Sequence, residues 1–374
     1  MPEKLLLIPG PTNVSEVVRK AMSGPQLPHV GAEFYATFKE IIGLSRQVFR
    51  NEKGVQFVFT GSGTIGMESS VTSLVSRGDR TLTLSSGYFG KRMLMLNQIH
   101  GAVAESIDYP EGGHADPDDL RKKLKGSNYS AVFMTHVDTS TSVANPIKEL
   151  VAECNAAGVL SVVDCVCSIG GLPLEFDKLG ADIVFTASQK ALAAAPGAVL
   201  LAASDRAIQA MERRESPIES YYMSLLRWKP VMEDPRMYLA TPATQVLQGL
   251  RQALSEVMSE GLDARWARHR KLGELAREFV SAHGFGFVAD EGYRSDTVTS
   301  IWVKDGMAGP IQKTMESDHG VVLARGIYEA KDKMIRIGHF GNLQPDVLEA
   351  ALASLDATVS GLASAEPVQM AERT

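Results

Sequence analysis

Cysteine is scarce in this chain: Cys154, Cys165 and Cys167 are the only three in 374 residues. Three thiols cannot build a disulfide framework. Cys165 and Cys167 flank Val166 in an apolar segment. This predicts buried, reduced side chains in a cytoplasmic protein rather than a metal site. The eight histidines form no H-E-x-x-H or similar ligand cluster, so no metal is expected. Basic blocks are also missing. The formal charge is −6, and the runs Arg121-Lys122-Lys123 and Arg268-His269-Arg270-Lys271 are short and lie on helical-looking segments. That argues against nucleic acid as a partner. No apolar run approaches the ~20 residues that cross a bilayer, and no charged-then-apolar signal is seen, so no membrane is expected. The last three residues are not read as a peroxisomal address.

What is there is ordinary for a soluble globular protein: 44% apolar and 22% charged residues. The length suits one large domain and a smaller one. From about Val55 to Ala203 short apolar runs alternate with longer amphipathic stretches. The runs are VQFVF, RTLTLS, AVAESI, YSAVFMT, VLSVVD, ADIVFTAS and GAVLLAA. The stretches include 64–76, 88–100 and 146–157. Strands apolar on both faces, interleaved with helices, predict an α/β fold with a mainly parallel sheet covered on both sides. Loops at the carboxyl ends of such strands carry ligands. After about Thr241 a long helical pattern (245–283) precedes the strand-like VTSIWVK and MIRIGHF and a last helix, 345–362. This reads as a smaller α+β domain with a frayed tail, 363–374.

Gly61-Ser62-Gly63-Thr64-Ile65-Gly66 matches G-x-G-x-x-G after a strand and before a helix. A dinucleotide site needs an acidic residue at the end of the next strand. That strand ends in Ser85-Ser86-Gly87, which disfavours a NAD-binding dehydrogenase. A phosphate at the helix N-terminus, or a plain cap, fits better. Asp164 ends VLSVVD, and Lys190 follows ADIVFTAS. Either alone fits a salt bridge, a cap or a snorkelling side chain. Together they end successive strands on the edge that carries the phosphate loop. A phosphate cradle, a carboxylate and a lysine suit pyridoxal 5'-phosphate, whose aldehyde takes an amine and whose ring nitrogen takes a carboxylate.

Eight segments then carry a resemblance: PGPTNV (9–14), TGSGTIGMES (60–69), SSGYFGKR (85–92), THVDTSTSVANPI (135–147), VVDCVCSIGG (162–171), ASQKALAAAPG (187–197), PRMYLATPAT (235–244) and IRIGHFGN (335–342). In this order they resemble class V (fold type I) pyridoxal-phosphate aminotransferases of the alanine–glyoxylate and serine–glyoxylate group. The resemblance implies a seven-stranded, mainly parallel sheet flanked by helices. It implies an N-terminal segment (1–20) reaching the active site, a large domain (21–250) and a small one (251–374). It implies that Lys190 forms the Schiff base and Asp164 pairs with the ring nitrogen. Ser62, Gly63, Thr64 and Gln189 would hold the phosphate, Phe89 the ring face, and Thr139 the ring oxygen. Tyr238 and Thr241 would reach the phosphate of a neighbouring subunit, making a homodimer with shared sites. Arg336 would grip the substrate carboxylate, and Gly10 would let substrate pass closely.

The chain departs from the group at Val137 and Ser142, where glycines are usual, and at Arg325, which reads as a surface charge or a second anion contact. The reaction implied moves an amino group from alanine or serine to glyoxylate or pyruvate. Ureidoglycine, 2-aminoethylphosphonate or pyridoxamine are alternative donors.

Overall fold

A computed structural model of the chain describes residues 3–369. All seven apolar runs are strands of one sheet. Its order is Val55–Thr60, Ala198–Ala203, Ile183–Ala187, Leu160–Asp164, Ala131–Thr135, Arg80–Ser85 and Val103–Asp108. Ala198–Ala203 runs antiparallel to both neighbours; the other pairings are parallel. Burial on both faces explains the unbroken apolar character of the central strands. Phe57, Phe133 and Phe185 are wholly buried there. The edge strand Val103–Asp108 is only partly covered, and its Glu105 meets Arg80 and Lys123.

Strand direction positions the site. Two successive antiparallel pairings restore the original sense, so Thr60, Asp164 and Ala187 all end at one edge of the sheet. Loops leaving those ends therefore converge, as parallel sheets require at their carboxyl edge.

A second, five-stranded sheet has the order Leu5–Leu7, Val321–Arg325, Met334–Gly338, Val298–Trp302 and Gly286–Phe287. Only two of these strands were expected from sequence. Leu5–Leu7 and Gly286–Phe287 are three and two residues long, too short to show alternation. Leu5–Leu7 pairs in parallel with Val321–Leu323, so the start of the chain is built into the C-terminal sheet.

The long helical pattern is two helices, Thr244–Glu260 and Leu262–Ala282, broken at Gly261 with φ +82°. The former buries Leu247, Leu250, Leu254 and Val257 in the large core, so the expected boundary at 250/251 falls inside it. The last helix also corrects an expectation. It runs Pro345–Gln369, past Leu362, because Ala363 and Ser364 give it no stop. Residues 370–374 of the expected tail lie outside the described residues. Its Pro345–Ser364 part is, by length and composition, apolar enough to cross a membrane. Leu348, Ala351, Leu352 and Leu355 instead form a buried stripe on the small core.

Candidate active site

The strand Ile183–Ala187 leads into a tight loop carrying Lys190. Ser188 Oγ donates to the Ala195 carbonyl (2.6 Å), and the Ala194 and Ala193 amides close onto the Ser188 and Lys190 carbonyls (3.0 and 2.9 Å). Arg265, nearly inaccessible to solvent, donates to the Ala191 carbonyl at 2.6 Å. The loop is thus held from both sides while the Lys190 side chain reaches outward. Its Nζ donates to the Pro9 carbonyl. Gly10, at φ +92°, lies against the same stem: a Cβ there would sit 2.5 Å from Lys190 Cδ. Only glycine meets both the left-handed backbone and the closeness.

Asp164 ends its strand with the carboxyl buried, and Oδ1 accepts the Val166 amide at 3.0 Å. Desolvation pushes its pKa up to about 7; the Val166 bond, Lys190 and Arg92 oppose this. A cationic partner is what such a carboxyl lacks.

The helix Gly63–Leu74 opens on Ser62, whose hydroxyl makes no cap bond. Gly63 is close to the strand ends, since a Cβ there would lie 3.2 Å from that of Ala187. Gln189 Oε1 is buried without a partner. Free helix amides, an uncommitted hydroxyl and an orphaned amide oxygen face one space.

The helix Tyr88–Ile99 covers the opposite wall. Asp138, not singled out from sequence, organises its start. Its carboxylate accepts the Phe89 amide (2.9 Å), the Ser140 amide (2.9 Å) and the Ser140 hydroxyl (2.6 Å). Gly87 leaves room for it, because a Cβ there would be 2.5 Å from Asp138 Cγ. Ser142 stands at φ +66° and bonds its hydroxyl to that of Ser300 in the small sheet. Val137 is buried and packs with the cluster that includes Leu172, Val298 and Phe340.

One cleft, of about 230 Å³, is lined by Ser62, Gly63, Thr64, Phe89, Thr139, Asp164, Gln189 and Lys190, all expected from sequence. It is also lined by Met67, Arg92, Val166 and Cys167, whose roles there sequence reading missed. Arg92 carries a usable signal: it follows Tyr88 and Phe89 by four and three residues, which puts it on their helix face. Arg336, in the strand Met334–Gly338, borders the cleft through Thr139, whose carbonyl accepts its Nη1 at 3.0 Å; its Nε donates to the Arg325 carbonyl at 2.8 Å. Burial lowers its pKa. Arg325 pairs with Asp332 at 3.0 Å, so its side chain is engaged in the small domain. Tyr238 and Thr241 do not line this cleft. Their hydroxyls meet each other at 2.9 Å, and Tyr238 is 62% exposed.

Sequence and structure comparisons agree with this geometry. The aminotransferase class-V family profile matches residues 14–339. Alanine–glyoxylate aminotransferase 1 of Saccharomyces cerevisiae is 33% identical over 90% of this chain and 91% of its own. Serine–glyoxylate aminotransferase of Methylorubrum extorquens is 31% identical over 94% and 90%. The crystal structure of an alanine–glyoxylate aminotransferase from Nostoc sp. superposes with a TM-score of 0.92 at 29% identity, covering 96% of each chain. With a profile matched over most of its length and its cleft built at the edge where the sheet's strands end, this chain belongs to the class-V aminotransferases.

Proposed function

We propose that this transaminase takes its amino group from alanine or serine and delivers it to glyoxylate or pyruvate. The observation that carries the reading is the meeting of Lys190, Asp164 and an uncommitted helix N-terminus in one cleft. The names of the relatives support the substrate pair.

The residues fit pyridoxal 5'-phosphate. The orphaned Gln189 oxygen and the unused Ser62 hydroxyl mark polar groups awaiting a ligand, with the amide flip of Gln189 open to either donor or acceptor. When bound, the cofactor supplies an aldehyde for amine exchange and a ring that withdraws electrons from the substrate α carbon. Ser62, Gly63, Thr64 and Gln189 would hold its phosphate, aided by the helix dipole. Asp164 would keep the ring nitrogen protonated, and Phe89 would cover the ring face. Thr139 would meet the ring oxygen.

Lys190 Nζ would take the proton from the substrate α carbon as base and deliver it, as acid, to the carbon that was the cofactor's aldehyde, which leaves the amino group on the cofactor. Arg336 orients the substrate carboxylate with a planar fork that lysine cannot reproduce. Gly10 leaves the space between the N-terminal segment and the Lys190 stem clear. We further propose a homodimer in which Tyr238 and Thr241 complete the partner's site; their distance from their own chain's cleft supports this. Three unpaired, buried cysteines support a cytoplasmic location.

The test is a half-reaction screen with alanine, serine, aspartate, 2-aminoethylphosphonate, ureidoglycine and pyridoxamine. Loss of the aldehyde absorbance and release of pyruvate or hydroxypyruvate are expected with the first two alone. Conversion by another donor, with neither of these active, replaces the proposed pair. Lys190→Ala should abolish turnover while far-ultraviolet circular dichroism stays unchanged; normal turnover by it would refute the mechanism.

A further inference from the structure

Every expected phosphate contact in the cleft is neutral: two hydroxyls, an amide and the helix N-terminus. A phosphate monoester carries nearly two negative charges at neutral pH. The end of a helix offers the equivalent of about half a positive charge. Lys190 is the cation whose amine the aldehyde requires. Arg92 is the other cation lining the cleft.

Its guanidinium is held without a counter-ion. Nη1 lies 3.4 Å from Thr64 Oγ1, on the first turn of the glycine-loop helix, and Nη2 lies 3.2 Å from Tyr88 Oη. Its carbon sits 4.8 Å from the centroids of both the Tyr88 and Phe89 rings. Among the described residues no carboxylate lies within ion-pair distance of it. The two rings limit its rotation, so little freedom remains to be lost when an anion arrives. A half-buried arginine fixed against neutral groups, with N–H bonds to spare, is an anion site in waiting. The contact with Thr64 sets it beside the phosphate cup rather than beside Arg336.

We propose that Arg92 supplies the positive charge for the cofactor phosphate. This rests on the reading of the cleft as a pyridoxal-phosphate site. It adds a residue whose guanidinium stands at the Thr64 end of the cleft, so that its removal is felt mainly through the phosphate.

The experiment compares two ligands that differ only in that group. Cofactor-free wild type, Arg92→Gln and Arg92→Lys are titrated with pyridoxal 5'-phosphate and with pyridoxal, following the absorbance of the bound aldehyde. Arg92→Gln should weaken pyridoxal 5'-phosphate by about 10- to 100-fold, as expected for a lost charge-assisted bond, and leave pyridoxal within about twofold. Arg92→Lys should recover part of the loss, since it keeps the charge without the fork. It also provides the comparison if Arg92→Gln does not fold.

Equal loss for both ligands, or no loss for either, overturns the inference. So does an unchanged preference for the phosphate ester combined with a selective loss of serine over alanine turnover, which would assign the guanidinium to a substrate side chain. Failure of the wild type to bind pyridoxal 5'-phosphate would sink the reading of the cleft. A change in donor preference alone would leave the role of Arg92 standing.

Discussion

At the scale of single residues the site rests on two buried groups that each lack something. Lys190 is aimed at the N-terminal segment by a loop that gives it no freedom at its base, and Gly10 exists to let it pass. Asp164 is a carboxyl whose folded pKa, about 7, stands above its ordinary 3.8 because of desolvation. A raised carboxyl pKa means the folded state binds the extra proton, so its stabilising effect is full below about pH 4 and lost as pH rises towards 7. At about 1.4 kcal/mol per unit the loss reaches about 4 kcal/mol. Asp164→Asn has no such loss. For cofactor-free protein, unfolding in denaturant should therefore show the variant gaining on wild type from about pH 4 and levelling off above about pH 7. A flat difference would contradict the buried, unpaired carboxyl. With cofactor present the order should reverse, because the ring nitrogen then provides the missing partner.

At the scale of elements the loop 136–142 joins the two sheets. Asp138 ties it to the start of the helix Tyr88–Ile99, and Ser142 ties it to Ser300. The serine stands at φ +66°, where the resemblance implies glycine, and its bond to Ser300 offsets the strain. A left-handed backbone costs an L-residue roughly 1–2 kcal/mol, while a buried hydroxyl bond returns about 1 kcal/mol. Ser142→Ala keeps the strain and loses the bond, so it should cost about 1–2 kcal/mol. Ser142→Gly loses both and should be nearly neutral. Chemical denaturation of the two variants checks this; a glycine variant as unstable as the alanine one would show that strain is not the issue. The break at Gly261 works at the same scale. It turns the chain so that Arg265 reaches Ala191, Glu260 and Asn342.

At the scale of the whole molecule a buried histidine ties the helix Leu262–Ala282 to the segment that follows the strand Met334–Gly338. His269 Nδ1 faces the Arg265 carbonyl, and Nε2 accepts the Gly341 amide at 3.1 Å. This fixes the neutral tautomer, and burial holds its pKa well below the ordinary range. The exposed Tyr238 and Thr241 belong to a larger assembly in our proposal. Mixing Lys190→Ala with Tyr238→Ala chains tests it. If sites are shared, half the dimers formed at random carry one intact site, restoring about a quarter of wild-type turnover. If each chain is self-sufficient, the mixture shows only the average of its parents.

Much of the fold was legible because its signals are local. Seven apolar runs bounded by amphipathic stretches named the large sheet, and their buried faces named its mainly parallel sense. Asp164 and Lys190 were legible for the same reason: strand ends of one sense share an edge. The small sheet was less so. Leu5–Leu7 is a strand only because Val321–Leu323 lies beside it. The donor of Lys190 Nζ to Pro9 spans 181 positions, and that of Arg336 to Thr139 spans 197. Residue type and spacing are properties of neighbours along the chain, and these sufficed for the layers and for the chemistry of the cleft. Which distant groups meet — Pro9 with Lys190, Arg92 with Thr64, Thr139 with Arg336 — depends on how the layers cross, and no local pattern encodes that crossing.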